Sequence, residues 1–149
     1  MPERPGKTEI RRARLRDASA IAELSGQLGY PASPKDMAER LARLLGLPDR
    51  VVLVAESSDR EVVGWLAISV VPLLEVPLSA EINGLIVAEG HRSQGAGAKL
   101  LLAAERWARK KGCKNISVRS NVIRDRAHAF YAVHGFEHYK TQKAFRKDL

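Results

Sequence analysis

A chain of 149 residues, 45% hydrophobic and 28% charged, can bury a sizeable core and is too apolar to stay disordered. No run approaches the roughly 18 apolar residues of a membrane span, which excludes an integral membrane helix. The formal net charge is +8, and residues 106–149 hold 12 of the 25 Lys/Arg but three of the 17 Asp/Glu, so the whole excess sits in the last third.

In chain order, the opening MPERPGKTEIRR carries charge without an apolar stretch, so no secretory leader is expected and the chain reads as a cytoplasmic protein. TEIRRARLRD alternates Ile10, Ala13 and Leu15 with arginines, the pattern of a half-buried first strand. Asp17 is expected to cap the helix that follows, whose stripe is Ala18, Ile21, Ala22, Leu24 and Leu28. Gly29-Tyr30-Pro31 ends it. Ser33-Pro34 opens a second helix, with serine at N-cap and proline at N1, and Gly46 closes it. RVVLVAES and EVVGWLAISVV, joined by residues 57–60, predict an antiparallel hairpin. SAEINGLIVA predicts a fourth strand, and Gly84 inside it predicts a β-bulge or a close backbone approach.

A glycine-rich turn and a helix to about Lys111 come next, then the short strand NISVRS. RDRAHAFYAVHG predicts a helix closed by Gly135, and FEHYKTQKAFRK a final strand. No repeat, linker or low-complexity tract divides the chain. The expectation is one domain over 1–149, mixed α/β with at least one parallel crossover.

Strand, glycine-rich turn and helix are together the general recipe for binding phosphate, because glycines let backbone N–H groups converge where the helix dipole is positive. In HRSQGAGAKLLL the separation of Gly90 and Gly95 suits a P-loop, but Ala96-Gly97 stand where Lys and Ser/Thr are required. A dinucleotide fingerprint fails too, since Leu100 replaces its third glycine and no acidic residue follows about 20 positions on. Arg92-Ser93-Gln94-Gly95-Ala96-Gly97-Ala98 does match R/Q-x-x-G-x-G/A.

That loop resembles the acetyl-CoA loop of the GNAT superfamily of N-acetyltransferases. IRRARLRDASAIAEL looks like the family's first strand and helix. SNVIRDRAHAFYAVHGF looks like its second cofactor segment, with an Asn, a Tyr ten residues later and then Gly-Phe. The order of elements matches over nearly the whole chain. The resemblance implies a central, mixed but mostly antiparallel, twisted sheet of six to seven strands flanked by about four helices.

It also implies acetyl-CoA as cosubstrate, no metal, and transfer of acetyl (EC 2.3.1.-) directly to a primary amine of a small molecule or peptide. The pyrophosphate would rest on amides of about Gln94 to Ala98, with Arg92 and Ser93 opening the motif. The strand holding Leu85 would lie beside pantetheine, the backbone of Ile86 and Val87 pairing with its amides, and an amide near Val87 would polarise the thioester carbonyl. Tyr131 would be the general acid on the CoA sulfur, Asn121 a cofactor contact, and His128 a contact to cofactor or substrate. Glu81 matches the family's catalytic glutamate, and period two puts it with Asn83 and Leu85 on one face before any bulge resets the count. The family often forms homodimers. The segment around Asn121 to Phe136 looks especially like that of relatives acetylating aminoglycosides or small amines.

Other chemistries are weaker. His134 and His138 flank Gly135 and share no helix, and no carboxylate or cysteine cluster accompanies them. Cys113, the single cysteine, forms no internal disulfide, and no G-x-S-x-G is present. Aromatic residues are 5%, too few for a base-stacking platform, which weighs against nucleic acid. The alternative is a non-catalytic acetyl-CoA-binding or nucleic-acid-associated module using the basic C-terminal third.

Overall fold

The computed structural model describes residues 7–92, 94–120 and 125–149. Residues up to Arg119 form one unit and Ser120–Leu149 another. The first holds strands β1 (Glu9–Arg12), β2 (Arg50–Glu56), β3 (Val62–Val71), β4 (Ser79–Val87) and β5 (Asn115–Val118), with helices α1 (Ala18–Gln27), α2 (Pro34–Leu44) and α3 (Ala96–Lys110). The strands lie side by side in sequence order. β1 to β4 pair antiparallel, and β5 joins β4 in parallel after the α3 crossover.

Alternation divides the sheet into two apolar faces. Val52 and Val54 of β2 pack with Ala18, Ile21 and Leu41 beneath α1 and α2, and Trp65 and Ala67 of β3 join them. On the other face Leu66 and Ile68 are fully buried, as are Leu100, Leu101 and Ala104 on the inner side of α3. That helix has the expected amphipathic spacing. α2 begins as its sequence requires, the Ser33 hydroxyl accepting from the Asp36 amide at 3.0 Å ahead of Pro34.

Asp17 does not cap α1. A 3-10 turn, Leu15–Asp17, precedes the helix, and Asp17 makes no cap bond to it. Its carboxylate instead accepts the Arg14 amide at 2.7 Å and both terminal nitrogens of Arg11, at 2.8 and 2.9 Å. Arg11 Nε also reaches Glu56 at 2.8 Å. A bidentate, charge-assisted pair outweighs one helix-end amide, so the cap expected at Asp17 becomes a clamp joining β1, β2 and the entry to α1.

The sheet has five strands among the described residues, fewer than the six to seven expected. The segment FEHYKTQKAFRK forms none of them. Tyr139 is 71% and Phe145 91% exposed, and Lys140, Lys143, Arg146 and Lys147 punctuate the segment. The second unit contributes α4 (Asp125–Val133), which ends at Gly135 in the left-handed region (φ +88). The four helices equal the number expected.

The Arg11 guanidinium holds the Asp17 carboxyl below its ordinary value of 3.8, aided by the Arg14 amide. A carboxyl depressed by folding stabilises the native state above its unfolded pKa, and that stabilisation is lost as pH falls through the folded value. Asp17→Asn should therefore cost about 1.5–3 kcal/mol at pH 7, measured by urea unfolding. The deficit should shrink below about pH 4.

Candidate active site

β4 carries one residue too many for its partner. Ala67 pairs with Gly84, but Ile68 pairs with Ile82, leaving Asn83 as the extra residue of a bulge. The parallel ladder to β5 stops at the same place, its last pair being Ile82 and Val118. From Asn83 to Val87 the outer edge of β4 pairs with no strand among the described residues. The Ala88 amide donates to Val63 of the β2–β3 hairpin at 2.8 Å. By alternation the backbone groups of Ile86 also face β3, so Ile86 is not free to pair with pantetheine as expected, and the groups that face the open edge are those of Leu85 and Val87. The bulge expected at Gly84 is present.

The same bulge resets the faces of the strand. Leu85 pairs with Leu66 and so belongs to the α3 side, whereas Glu81 pairs with Ser69 and lies on the face of α1 and α2. Leu85 is thereby separated from Glu81 and Asn83. The Ser69 hydroxyl donates to Asn83 Oδ1 at 3.1 Å. Glu81, 22% exposed, accepts from Arg119 Nε at 3.0 Å.

Past Val87 the chain turns into α3. Gly95 occupies the N-cap position in the left-handed region (φ +79), and no side chain caps the helix. The first intrahelical bond runs from the Lys99 amide to the Gly95 carbonyl at 3.1 Å, so the amides of Ala96, Gly97 and Ala98 precede the ladder. A Cβ built on Gly95 meets no atom within 4 Å. Gln94 is tied into the turn, its amide on the His91 carbonyl at 3.2 Å and its Oε1 3.0 Å from His91 Nδ1. Arg92 folds back, Nε donating to the Val87 carbonyl at 3.2 Å. Uncapped amides at a positive helix end, with open space before them, fit the pyrophosphate of a CoA thioester.

In the second unit Tyr131 is half-buried on α4, edge-on to Phe130 and to Phe136, each with ring centroids 5.5 Å away. His128 lies one turn earlier and is also half-buried. Ser93 and Asn121, both expected to contact the cofactor, lie outside the described residues. No group of three His, Cys, Asp or Glu able to hold a metal occurs among the described residues. Burial pushes the Cys113 thiol above its usual range, away from nucleophilic use. No helix among the described residues is long and apolar enough to cross a membrane.

An open strand edge beside an uncapped helix end is what the resemblance to acetyl-CoA-dependent transferases implies, and sequence similarity gives the family. Residues 17–136 match the acetyltransferase (GNAT) family. The chain is 31% identical over 144 residues to aminoglycoside N(6')-acetyltransferase type 1 of Stenotrophomonas maltophilia, spanning 94% of this chain and 93% of that one. The enzyme of the same name from Klebsiella aerogenes is 30% identical over 135 residues, 88% of this chain and 77% of its own. Among solved structures, aminoglycoside N-acetyltransferase AAC(6')-Iy in complex with CoA superimposes with a TM-score of 0.85 at 19% identity, covering 100% of this chain and 99% of that one. The chain belongs to the GNAT family. It is an acyltransferase (EC 2.3.1.-) that takes acetyl from acetyl-CoA and passes it to an amine.

Sequence reasoning missed two side chains here. Arg119 stands two residues beyond Ser117, the parallel partner of Glu81, a relation that requires the register of a strand pair distant in sequence. Trp65 lies against Gly84; a tryptophan in a hairpin strand signals burial but not its neighbour.

Gly95→Ala places a side chain in the left-handed region without a steric clash, so its cost should be the backbone term alone, about 1–2 kcal/mol. Urea unfolding should show that loss with an unchanged m-value.

Proposed function

We propose that this chain transfers acetyl directly from acetyl-CoA to a primary amine of a small molecule, with aminoglycosides the first class to test, in the cytoplasm. The observation that carries the proposal is the open edge of β4, Asn83–Val87, leading into the uncapped amides of Ala96, Gly97 and Ala98. Relatives at 30–31% identity named as aminoglycoside N(6')-acetyltransferases support the acceptor class.

In this reading the amides of Ala96, Gly97 and Ala98, with Arg92 and Ser93, hold the pyrophosphate, the Gln94 amide being already bonded to the His91 carbonyl. Leu85 and Val87 offer edge groups to the pantetheine amides while Ile86 keeps the strand on β3. The acceptor arrives mostly as an ammonium ion, so a proton must leave before its nitrogen can attack. Glu81 takes that proton, directly or through a water, and Arg119 fixes the carboxylate's orientation. The Val87 amide donates to the carbonyl oxygen as negative charge develops there. When the carbon–sulfur bond breaks, Tyr131 gives its hydroxyl proton to the departing sulfur. Asn121 and His128 complete the cofactor contacts. These roles follow the family positions that the residues occupy.

Free-thiol release should be followed with acetyl-CoA and a panel of aminoglycosides, polyamines, amino acids and N-terminal peptides. An aminosugar amine should give the highest kcat/KM. Tyr131→Phe and Glu81→Gln should each lower kcat on the order of 10²-fold, with the KM for acetyl-CoA within a few-fold of wild type. Thermal stabilisation by acetyl-CoA without thiol release from any amine would favour a non-catalytic binding module. Absence of that stabilisation would overturn the reading.

A further inference from the structure

We infer that Trp65 is a positioning residue for the donor strand: its ring edge occupies the place of the side chain missing at Gly84 and so fixes the bulge that opens β4. The inference rests on the proposal that the open edge of β4 receives the acetyl donor.

Trp65 pairs with Ile86, and Gly84 with Ala67, so Trp65 and Gly84 are diagonal neighbours on one face, within reach of an aromatic ring. A Cβ at Gly84 would stand 2.5 Å from Trp65 Cη2 and 2.7 Å from Cζ3. The far edge of the indole thus covers the bare glycine backbone, a known way of supporting a glycine within a sheet. Gly84 adjoins Asn83, the extra residue, at the point where the β5 ladder has just ended. A bulge there without lateral support would be free to slip by one residue and return Leu85 to the other face.

Trp65 also packs against the core cluster that includes Leu41 of α2 and Ile21 of α1. One side chain therefore spans the distance from the helical layer over the Glu81 face to the strand segment proposed to hold the donor. The indole Nε1 is buried and has no hydrogen-bond partner among the described residues. Trp65 is thus held by the shape of its ring rather than by its polar atom, so a shorter aromatic side chain should keep the packing while vacating the place above Gly84.

The test is a two-position exchange read by calorimetric titration of acetyl-CoA, which needs no acceptor, with thermal unfolding as a check on folding. Gly84→Ala alone should weaken acetyl-CoA binding tenfold or more, because the methyl group displaces the ring and with it the bulge. Trp65→Phe alone should weaken binding about three- to tenfold. Combined, the two should bind within about threefold of wild type and more tightly than Trp65→Phe alone, since the methyl group refills the space the ring gave up. Alanine at position 84 would then hurt in one background and help in the other, a reversal that general loss of stability does not produce. Should Gly84→Ala fail to fold, the comparison of Trp65→Phe with the double variant still decides. Wild-type affinity in Gly84→Ala, or a double variant no tighter than Trp65→Phe, would overturn the inference while leaving the donor-strand proposal standing. A wild-type protein that does not bind acetyl-CoA would overturn both.

Discussion

A single extra residue in β4, Asn83, is the constraint on which the arrangement of the site depends. Opposite Ala67 and Ile68 it forces the strand to bulge, and the parallel ladder to β5 ends in step with it. Two strands that continued in register would satisfy each other's backbone groups and leave nothing for a ligand. Instead the N–H and C=O groups of Leu85 and the N–H of Val87 face an edge with no strand partner among the described residues, while the Val87 carbonyl accepts from Arg92 Nε; strand edges of this kind are ordinarily covered or blunted. The following turn compounds the effect. Gly95 starts α3 from the left-handed region with no capping side chain among the described residues, so three helix-end amides precede the helix ladder.

Exposed donors of this kind need a rigid frame, and the sheet supplies it from both faces. α3 is anchored through Leu100, Leu101 and Ala104, all essentially inaccessible to solvent, so its uncapped first turn is held by packing rather than by its own hydrogen bonds. On the opposite face the Arg11–Asp17–Glu56 clamp fastens the entry of α1 to β1 and β2. α1 and α2 then cover Val52, Val54, Trp65 and Ala67. Glu81, paired with Ser69, takes its place on that face. The bulge puts the carboxylate and Leu85 on opposite faces of the sheet, so the proposed acid-base group and the proposed donor edge come from one strand without competing for the same side.

Much of this was legible in the residues because local chemistry decided it. Ser33-Pro34 can only begin a helix, glycines at 46, 95 and 135 mark left-handed turns, and a glycine among β-branched residues marked the bulge. The loop resemblance rested on Arg92, Gly95 and Gly97, while Ala96-Gly97 in place of Lys-Ser/Thr and Leu100 in place of a third glycine excluded two other phosphate-binding loops. What was not legible depended on partners far away in sequence. Asp17 looked like a helix cap because its pair with Arg11, whose guanidinium is also held by Glu56 of β2, becomes visible only once β1 and β2 are paired. The face of Leu85 followed from a register shift whose presence Gly84 announced but whose position it did not. The last apolar-polar pattern, FEHYKTQKAFRK, alternates enough to resemble a strand, yet strands are made by ladder partners, and its aromatic residues stay exposed.

The basic last third has a local counterpart in the first unit. Arg109, Lys110 and Lys111 close α3, where cations favour the negative end of the helix dipole, and Lys111 lies over the Trp107 ring. Part of the charge thus has a structural explanation that calls for no polyanionic partner. The central claim, that the bulge hands the free edge of β4 and the start of α3 to the acetyl donor, is tested most directly by residue-resolved amide hydrogen exchange with and without saturating acetyl-CoA. Leu85, Val87 and Ala96 to Ala98 should gain protection, while Ile86, already bonded to β3, should change little. Unchanged exchange at Leu85 and Val87 in the acetyl-CoA-saturated protein would contradict the account.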